Sequence, residues 1–313
     1  MTTALVFPGQ GSQSVGMLDE AAAEWPLVGQ TFEQASDVLG YDLAALCREG
    51  PAEELNRTDI TQPALLTASV ALWRVWRELG GPVPDYLAGH SLGEYSALVA
   101  AGCLDFADAV ELVGIRGDAM RHAVPQGEGR MAAIIGMDGE AVISLCQEHV
   151  AEGVVEAVNF NAPGQVVIAG SLNAVNSVIE RAREEGAKKV TPLDVSVPSH
   201  CTLMQPAADR MAGALAGVSV QDAAIPVVQN VSAGAVTDAG TIRDNLYWQL
   251  ISPVRWSESV RFMAEQGVSV MTECGPGRVL SGLIRRIDRN IGCHPTDTPE
   301  QMGKALEAVR ESA

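Results

Sequence analysis

A chain of 313 residues, 47% of them hydrophobic, can bury a sizeable core, and its length predicts two domains or one large domain with an insertion. The 39 acidic and 21 basic residues give a formal net charge of −18, which argues against nucleic acid and anionic membranes as partners. No basic signal region precedes the apolar run Ala4 to Phe7, and no run reaches the roughly 18 residues of a membrane span. We expect a soluble, cytoplasmic protein.

The six cysteines form no C-x-x-C pair and show no metal-ligand spacing. Most of them have apolar neighbours in the sequence, which favours buried, reduced thiols. We therefore expect neither a disulfide framework nor a metal site.

The first predicted strand, Ala4 to Phe7, leads into the glycine- and glutamine-rich loop Pro8 to Gln13. Such a loop places backbone N–H groups past the carboxyl end of a strand, where open α/β sheets build their sites, although a plain turn explains it equally well. Pro26 to Leu39 has the pattern of an amphipathic helix. A further helix is predicted from Gln62-Pro63, with proline at its first position, to Leu79.

The segment Gly89-His90-Ser91-Leu92-Gly93 follows a short apolar strand and precedes a predicted helix. A serine on such a sharp strand–turn–helix bend projects from the sheet edge, and the flanking glycines allow close backbone contact. The start of the helix also directs N–H groups towards negative charge that develops near the serine. Because the bare G-x-S-x-G pattern is weak, a simple turn serine is the alternative to a nucleophile.

The helix predicted from Asp105 to Met120 carries an arginine on its inward face. Phe106, Val110 and Val113 define that face, and continuing it reaches Arg116. A buried arginine needs an anionic partner, because an unpaired buried charge is very costly. Two explanations remain open, an internal ion pair with an Asp or Glu and a bidentate site for a substrate carboxylate.

From Met131 the pattern changes to a strand, helix, strand, strand, helix and strand, which end near Leu193. This βαββαβ order is that of the ferredoxin-like unit. Stretches rich in glycine or proline border it. We interpret residues 127–196 as a small domain inserted into the larger one, where it can form a wall over the Ser91 cleft.

His200 lies in a proline-containing loop after this unit, at a predicted domain junction. Of the five histidines, only this one occupies such a constrained loop, so it is the candidate base for Ser91, with a structural histidine as the alternative. The neighbouring Cys201 is a possible nucleophile, but a buried thiol explains it better.

The C-terminal part predicts strands at Val227 to Asn230 and Ser269 to Glu273, with helices between them. A helix is also predicted from Val279 to Asn290. It exposes a basic cluster of Arg285, Arg286 and Arg289. These arginines either complement the helix dipole or form a landing patch for an acidic partner, with Lys188 and Lys189 as a second candidate patch.

Taken together, several segments resemble the malonyl-CoA:acyl carrier protein transacylase family, and the same motifs occur in polyketide acyltransferase domains. The matching segments run almost from end to end of the chain: Phe7-Pro8-Gly9-Gln10-Gly11-Ser12-Gln13, Thr61-Gln62-Pro63-Ala64, Gly89-His90-Ser91-Leu92-Gly93-Glu94-Tyr95-Ser96, Arg116-Gly117, Asn159-Phe160-Asn161, Val197-Pro198-Ser199-His200 and Gly275-Pro276-Gly277.

This resemblance implies an α/β fold with an α/β-hydrolase-like core, residues 1–126 and 197–313, and an inserted ferredoxin-like small subdomain, residues 127–196. It further implies that Ser91 is the nucleophile and that His200 is the general base. Gln249 is expected to orient His200 through its backbone carbonyl, where a hydrolase would use Asp or Glu.

The remaining roles also come from the resemblance. Backbone N–H groups of Gln10 and Leu92 are expected to form the oxyanion hole, and Arg116 to bind the malonyl carboxylate. The implied partners are malonyl-CoA and acyl carrier protein, with no metal or other cofactor required. A serine thioesterase or hydrolase would use the same Ser91 and His200, and a non-catalytic carrier-binding protein is the third hypothesis.

Overall fold

The computed structural model describes residues 2–193 and 197–311. The strands of these residues are β1 (Thr2–Phe7), β2 (Tyr86–Gly89), β3 (Gly129–Ile135), β4 (Val155–Ala162), β5 (Gln165–Ser171), β6 (Lys189–Pro192), β7 (Val227–Val228), β8 (Ala235–Val236), β9 (Val268–Glu273) and β10 (Gly292–Pro295).

The helices of the same residues pack on both sheets and between them. They are α1 (Asp19–Glu24), α2 (Pro26–Leu39), α3 (Leu43–Glu49), α4 (Ala52–Leu55), α5 (Thr58–Glu78), α6 (Gly93–Ala100), α7 (Phe106–Ala123), α8 (Gly139–Glu148), α9 (Leu172–Glu184), α10 (Gln205–Ala216), α11 (Ala239–Gln249), α12 (Trp256–Glu265), α13 (Val279–Ile287) and α14 (Pro299–Glu311). Short 3-10 turns occupy Val150–Glu152 and Thr202–Met204.

The larger sheet has the strand order β10-β9-β1-β2-β7-β8, and every pair is parallel except β7 with β8. Phe7 of β1 pairs with Gly89 of β2, and Ala88 of β2 pairs with Val228 of β7. The carboxyl ends of these three strands therefore meet at one edge. Loops that leave this edge can bring distant residues together, as in other open α/β sheets.

The smaller sheet is antiparallel throughout, in the order β4-β5-β3-β6. Its elements follow the predicted order of strand, helix, strand, strand, helix and strand. Buried side chains of α8 and α9 pack against it in a separate apolar cluster. Backbone hydrogen bonds of Val254 with Val158 and Phe160 join β4 to the larger part of the molecule.

The start predicted for the second long helix was wrong. Helix α5 begins at Thr58, so Pro63 lies inside it rather than at its first position. Proline there removes only one intrahelical hydrogen bond, near the start of a 21-residue helix. Buried neighbours such as Ile60 compensate, and the Thr61 hydroxyl donates to the Leu55 carbonyl at 2.6 Å.

The end predicted for the helix after Val279 was also wrong. Helix α13 stops at Ile287, and Arg289 lies in the following turn rather than in the last turn of the helix. The chain then forms β10, which pairs with β9 from Gly292↔Val270 onward. Pairing with the sheet edge thus overrides the local helical pattern.

Two sequence predictions extend beyond the described residues, namely the domain boundary after residue 196 and the first residues of the His200 loop. Within residues 2–193 and 197–311, no helix combines the length and the apolarity needed to cross a membrane. The same residues contain no group of three or more His, Cys, Asp or Glu side chains placed to hold a metal ion.

Candidate active site

Ser91 stands on a sharp bend between β2 and α6, as the sequence predicted. Its backbone is left-handed, with a φ of 52°, a conformation that is unfavourable for residues other than glycine. The flanking glycines are required because a side chain at either position would clash with the neighbouring backbone. A Cβ on Gly89 would lie 1.9 Å from the carbonyl carbon of Gly93, and a Cβ on Gly93 would lie 2.0 Å from the carbonyl oxygen of Phe7.

His200 approaches Ser91 from its loop before α10. Its Nε2 lies 2.7 Å from Ser91 Oγ, and its Nδ1 lies 2.8 Å from the backbone oxygen of Gln249. Because a carbonyl only accepts, Nδ1 carries the proton and Nε2 is left to accept the Ser91 hydroxyl proton. The structure therefore brings Ser91, His200 and Gln249 together in the arrangement that the resemblance implied.

His200 is held in its neutral form. Burial and the positive charge of Arg116 lower its pKa to about 3. A neutral imidazole is the form that can act as a base. The His200 backbone is also left-handed, with a φ of 65°, so both members of the pair occupy strained conformations.

Arg116 is fully buried beside Ser91, and its charge has no carboxylate partner within ion-pair distance in the described residues. Its Nη1 donates to Gln62 Oε1 at 2.8 Å, and its Nη2 donates to Gln249 Oε1 at 3.0 Å. The same Nη2 lies 3.4 Å from Ser91 Oγ. The internal ion pair considered from the sequence is therefore wrong, because neutral amides solvate this cation.

Glu94 is the buried carboxyl near this cation. Burial raises the pKa of Glu94 to about 8, although the Asn230 backbone and Arg116 act in the opposite direction. Glu94 is consequently mostly protonated at neutral pH and does not balance the charge of Arg116. Burial likewise lowers the pKa of Arg116.

Gln249 contributes more than the backbone carbonyl that the sequence suggested. Its side-chain Nε2 donates to the Ser91 carbonyl at 3.0 Å, while its Oε1 accepts from Arg116. One residue at the end of α11 thus contacts His200, Ser91 and the buried cation of Arg116. This side-chain role was missed, because nothing in the local sequence around Gln249 indicates it.

The two candidate oxyanion-hole donors lie at the same sheet edge. Gln10 lines the cleft next to Ser91, and Leu92 occupies the N-cap position of α6. The Ser91 N–H is not available, since it donates to Asn230 Oδ1 at 2.7 Å. The loop before Gln10 packs directly on the bend, because a Cβ on Gly9 would lie 2.4 Å from the His90 carbonyl oxygen.

A cleft of about 560 Å³ opens above Ser91 and His200. The larger part of the molecule contributes Gln10 and Val279 to its lining, and the smaller sheet contributes Met131. Its volume lies in the range of small-molecule sites. The predicted wall over the Ser91 cleft is therefore present, and it carries both apolar and amide side chains.

Cys201 has the properties of the buried thiol that the sequence favoured. It is buried, its thiol donates to the Pro198 carbonyl, and burial raises its pKa to about 12. His90 points away from Ser91 as predicted, with its Nε2 2.7 Å from Asn161 Oδ1 on β4.

This arrangement is that of an acyl-transferring protein, and the comparisons with known proteins agree. The chain belongs to the family described as acyl transferase domain, whose model matches residues 4–290. It is 55% identical over 304 residues to the malonyl CoA-acyl carrier protein transacylase of Escherichia coli strain K12, a match that covers 97% of this chain and 98% of that protein.

Two solved structures are similar over nearly the whole chain. The malonyl CoA-acyl carrier protein transacylase from Coxiella burnetii has a TM-score of 0.97 and 49% identity, with 98% of this chain and 97% of that chain covered. A malonyl-transacylase in complex with its type II PKS acyl-carrier protein has a TM-score of 0.97 and 52% identity, with 98% and 100% covered.

Proposed function

We propose that the chain transfers a malonyl group from malonyl-CoA to the phosphopantetheine thiol of acyl carrier protein, through a malonyl-Ser91 intermediate. One observation carries this proposal. Ser91 Oγ lies 2.7 Å from Nε2 of His200 and 3.4 Å from the guanidinium of Arg116, a buried cation without a carboxylate partner among residues 2–193 and 197–311. A nucleophile between a base and an unbalanced cation suits an acyl group that carries its own carboxylate.

In the first half-reaction, His200 Nε2 takes the Ser91 proton while Oγ attacks the malonyl thioester carbonyl. The C–S bond to CoA breaks when the tetrahedral intermediate collapses, and the protonated imidazole returns its proton to the leaving thiolate. Malonyl-Ser91 and free CoA thiol are the products. The Gln249 carbonyl, 2.8 Å from Nδ1, keeps the imidazole in the required tautomer and orientation.

The developing oxyanion needs two fixed N–H donors. Those of Gln10 and Leu92 are the candidates, and the use of the Ser91 N–H by Asn230 supports this choice by elimination. The position of Leu92 at the start of α6 adds the positive end of the helix dipole.

Arg116 selects the acyl group and also tunes the base. Two of its nitrogens face amide oxygens that a carboxylate can replace or join. Once the malonyl carboxylate balances this charge, the second largest of the causes that lower the pKa of His200 is removed. His200 then becomes a stronger base, so a substrate with a carboxylate promotes its own attack on Ser91.

In the second half-reaction, the carrier thiol gives its proton to His200 and attacks malonyl-Ser91. The ester C–O bond then breaks and His200 returns the proton to Ser91 Oγ, so the two half-reactions give ping-pong kinetics. Transfer rather than hydrolysis requires water to be excluded or badly placed at this stage. The predicted cytoplasmic location and the absence of a metal or other cofactor stay predictions. Supply of fatty acid synthesis, with polyketide synthesis as the alternative, also stays a prediction.

We further propose that residues 1–126 and 197–313 form an α/β-hydrolase-like core and that residues 127–196 form a ferredoxin-like subdomain. The parallel sheet with a nucleophile bend after β2 supports the first assignment. The antiparallel order β4-β5-β3-β6, with α8 and α9 in the crossovers, supports the second.

Intact-mass spectrometry after mixing with malonyl-CoA tests this function. We expect a malonyl adduct on Ser91 that disappears when holo acyl carrier protein is added, with malonyl carrier protein as the product. Ser91→Ala should form no adduct and lose several orders of magnitude in turnover. Free malonate without malonyl carrier protein would identify a hydrolase instead, and an adduct that persists in Ser91→Ala would refute the nucleophile assignment.

A further inference from the structure

A buried polar network lies behind Ser91, on the side away from the cleft. Its centre is Asn230, which is 1% exposed and follows the short strand β7 at the active-site edge of the larger sheet. Asn230 does not line the cleft with Ser91 and His200. The mechanism described above does not use it.

The Asn230 side chain bridges the bend that carries the nucleophile. Its Oδ1 accepts from the Ser91 N–H at 2.7 Å, and its Nδ2 donates to the Gly89 carbonyl at 2.6 Å. The Asn230 backbone is fixed in turn, because its N–H donates to Glu94 Oε2 at 2.6 Å. Its carbonyl accepts from the Arg255 N–H at 3.2 Å.

These contacts replace sheet pairing at the point where it ends. The last pair between β2 and β7 is Ala88↔Val228, and beyond it the Gly89 carbonyl and the Ser91 N–H bond to the Asn230 side chain. Buried N–H and C=O groups without partners are costly, and the left-handed φ of Ser91 adds strain. An asparagine amide, with one donor and one acceptor side, satisfies both groups and fixes their spacing.

We propose that Asn230 is a positioning residue for the reaction, and that it holds the strained Ser91 backbone so that Oγ and the Leu92 N–H both face the thioester. Glu94 supports it by fixing the Asn230 backbone. The inference rests on the proposed function, since it assumes that Ser91 is the nucleophile. The chemical requirement is specific, because the position needs an acceptor towards Ser91 and a donor towards Gly89 at the same time.

The test measures single-turnover formation of malonyl-Ser91 at several malonyl-CoA concentrations. Asn230→Ala should lower the maximal acylation rate about 100-fold, as small displacements of reacting groups do. The half-saturating concentration should change little, because Asn230 lies outside the cleft. Gln229→Leu is the matched control, since this adjacent amide is also fully buried but its side chain has no hydrogen-bond partner in the described residues.

Asn230→Asp separates positioning from a merely structural role and remains informative if the alanine variant does not fold. A protonated carboxyl can donate to Gly89 and accept from Ser91, whereas an ionised one cannot donate. Acylation by Asn230→Asp should therefore be close to wild type at about pH 6 and fall at least tenfold by about pH 9, because burial raises carboxyl pKa values. The fall is measured relative to wild type at each pH, because Glu94, whose pKa is about 8, changes its charge in both proteins over this range.

The outcomes are distinct. If wild type forms no malonyl-Ser91, the proposed function fails. If wild type and folded Asn230→Ala acylate at equal rates, or if Asn230→Asp follows the wild-type pH profile, the proposed function survives and the positioning role of Asn230 is refuted. A loss in Gln229→Leu equal to that in Asn230→Ala would also refute it.

Discussion

Two cationic regions of this acidic chain have opposite surroundings. Arg116 is fully buried beside Ser91, where amide oxygens of Gln62 and Gln249 hold its guanidinium. Arg286 is exposed on α13, and its Nη1 donates to Gln165 Oε1 on β5 at 2.6 Å. Water already solvates the second charge, whereas the first gains strongly from an arriving carboxylate. We therefore expect the buried cation to determine the selectivity between acyl groups. The exposed cation should instead affect the rate of encounter with acyl carrier protein.

The exposed region is more continuous than the sequence suggested. Gln165, which contacts Arg286, pairs with Ile135, and Ile135 pairs with Lys189. The backbones of Gln165 and Lys189 are thus about 10 Å apart across two strand spacings, which places Lys189 and the residue that Arg286 contacts at the same end of the smaller sheet. We call the two predicted patches together the basic rim, formed by Arg285, Arg286, Arg289, Lys188 and Lys189.

The largest expected effect comes from removing His200, the proposed base, whose pKa Arg116 lowers. His200→Ala should lower acylation by roughly 10³-fold or more, because an unassisted hydroxyl is a weak nucleophile near neutral pH. The pH profile of kcat/KM checks the influence of the cation. Since burial and Arg116 lower the pKa of His200 to about 3, the wild-type profile should stay flat as the pH falls through 6.5.

If kcat/KM of wild type instead fell with a midpoint near pH 6.5, the ordinary histidine pKa, His200 would not be held neutral in the free enzyme. An unchanged profile and rate in His200→Ala would remove His200 from the mechanism altogether.

A smaller effect, on the stability of the fold, tests whether the carboxyl of Glu94 near Arg116 is neutral. The folded-state pKa of Glu94, about 8, lies above its ordinary value of 4.5, so folding takes up a proton between these values. This group therefore stabilises the fold fully below about pH 4.5, and its contribution is lost as the pH rises through about 8. Glu94→Gln keeps an acceptor for the Asn230 N–H but cannot ionise.

The measurement is the free energy of unfolding by denaturant at several pH values. As the pH rises from about 4.5 to about 8, the free energy of unfolding of Glu94→Gln should increase relative to that of wild type. A difference that stays constant would mean that Glu94 remains ionised and pairs electrostatically with Arg116.

The smallest effect is expected at the basic rim. Reversing Arg286 and Arg289 to Glu should raise the KM for acyl carrier protein several-fold and weaken its dependence on salt, because both partners carry net negative charge. The KM for malonyl-CoA serves as the internal reference. Arg48→Glu with Arg77→Glu is the charge-matched control on α3 and α5.

Equal carrier KM values in wild type and the rim variant would exclude this surface as the docking site. The same increase in the control pair would show that only the total charge matters.

Much of the fold was predictable because glycine and proline mark its element ends. Pro26 and Leu39 bound a helix in both the prediction and the structure, and the strand–bend–helix at Ser91 was predicted from five consecutive residues. The errors arose where tertiary contacts outweigh local pattern. Pairing of β10 with β9 ends α13 at Ile287, and packing around Ile60 starts α5 before Pro63.

The partners of the site residues were less predictable. The nitrogens of Arg116 bond to residues 54 and 133 positions away, and Asn230 bonds to Ser91 across 139 positions. No periodicity in one sequence encodes such pairings. The resemblance supplied the candidate reacting residues, whereas the amides that contact them became visible only in three dimensions.

The central claim is that Arg116, which has no carboxylate partner in the described part of the chain, receives the carboxylate of the substrate. The ratio of kcat/KM for malonyl-CoA to that for acetyl-CoA tests this claim most directly. Charge-assisted hydrogen bonds of about 2–4 kcal/mol correspond to roughly 30- to 1000-fold in that ratio. Arg116→Ala should collapse the ratio by this factor, and Arg116→Lys should restore it only in part because lysine lacks the planar fork. A ratio that stays unchanged in Arg116→Ala, with both substrates losing equally, would contradict the account.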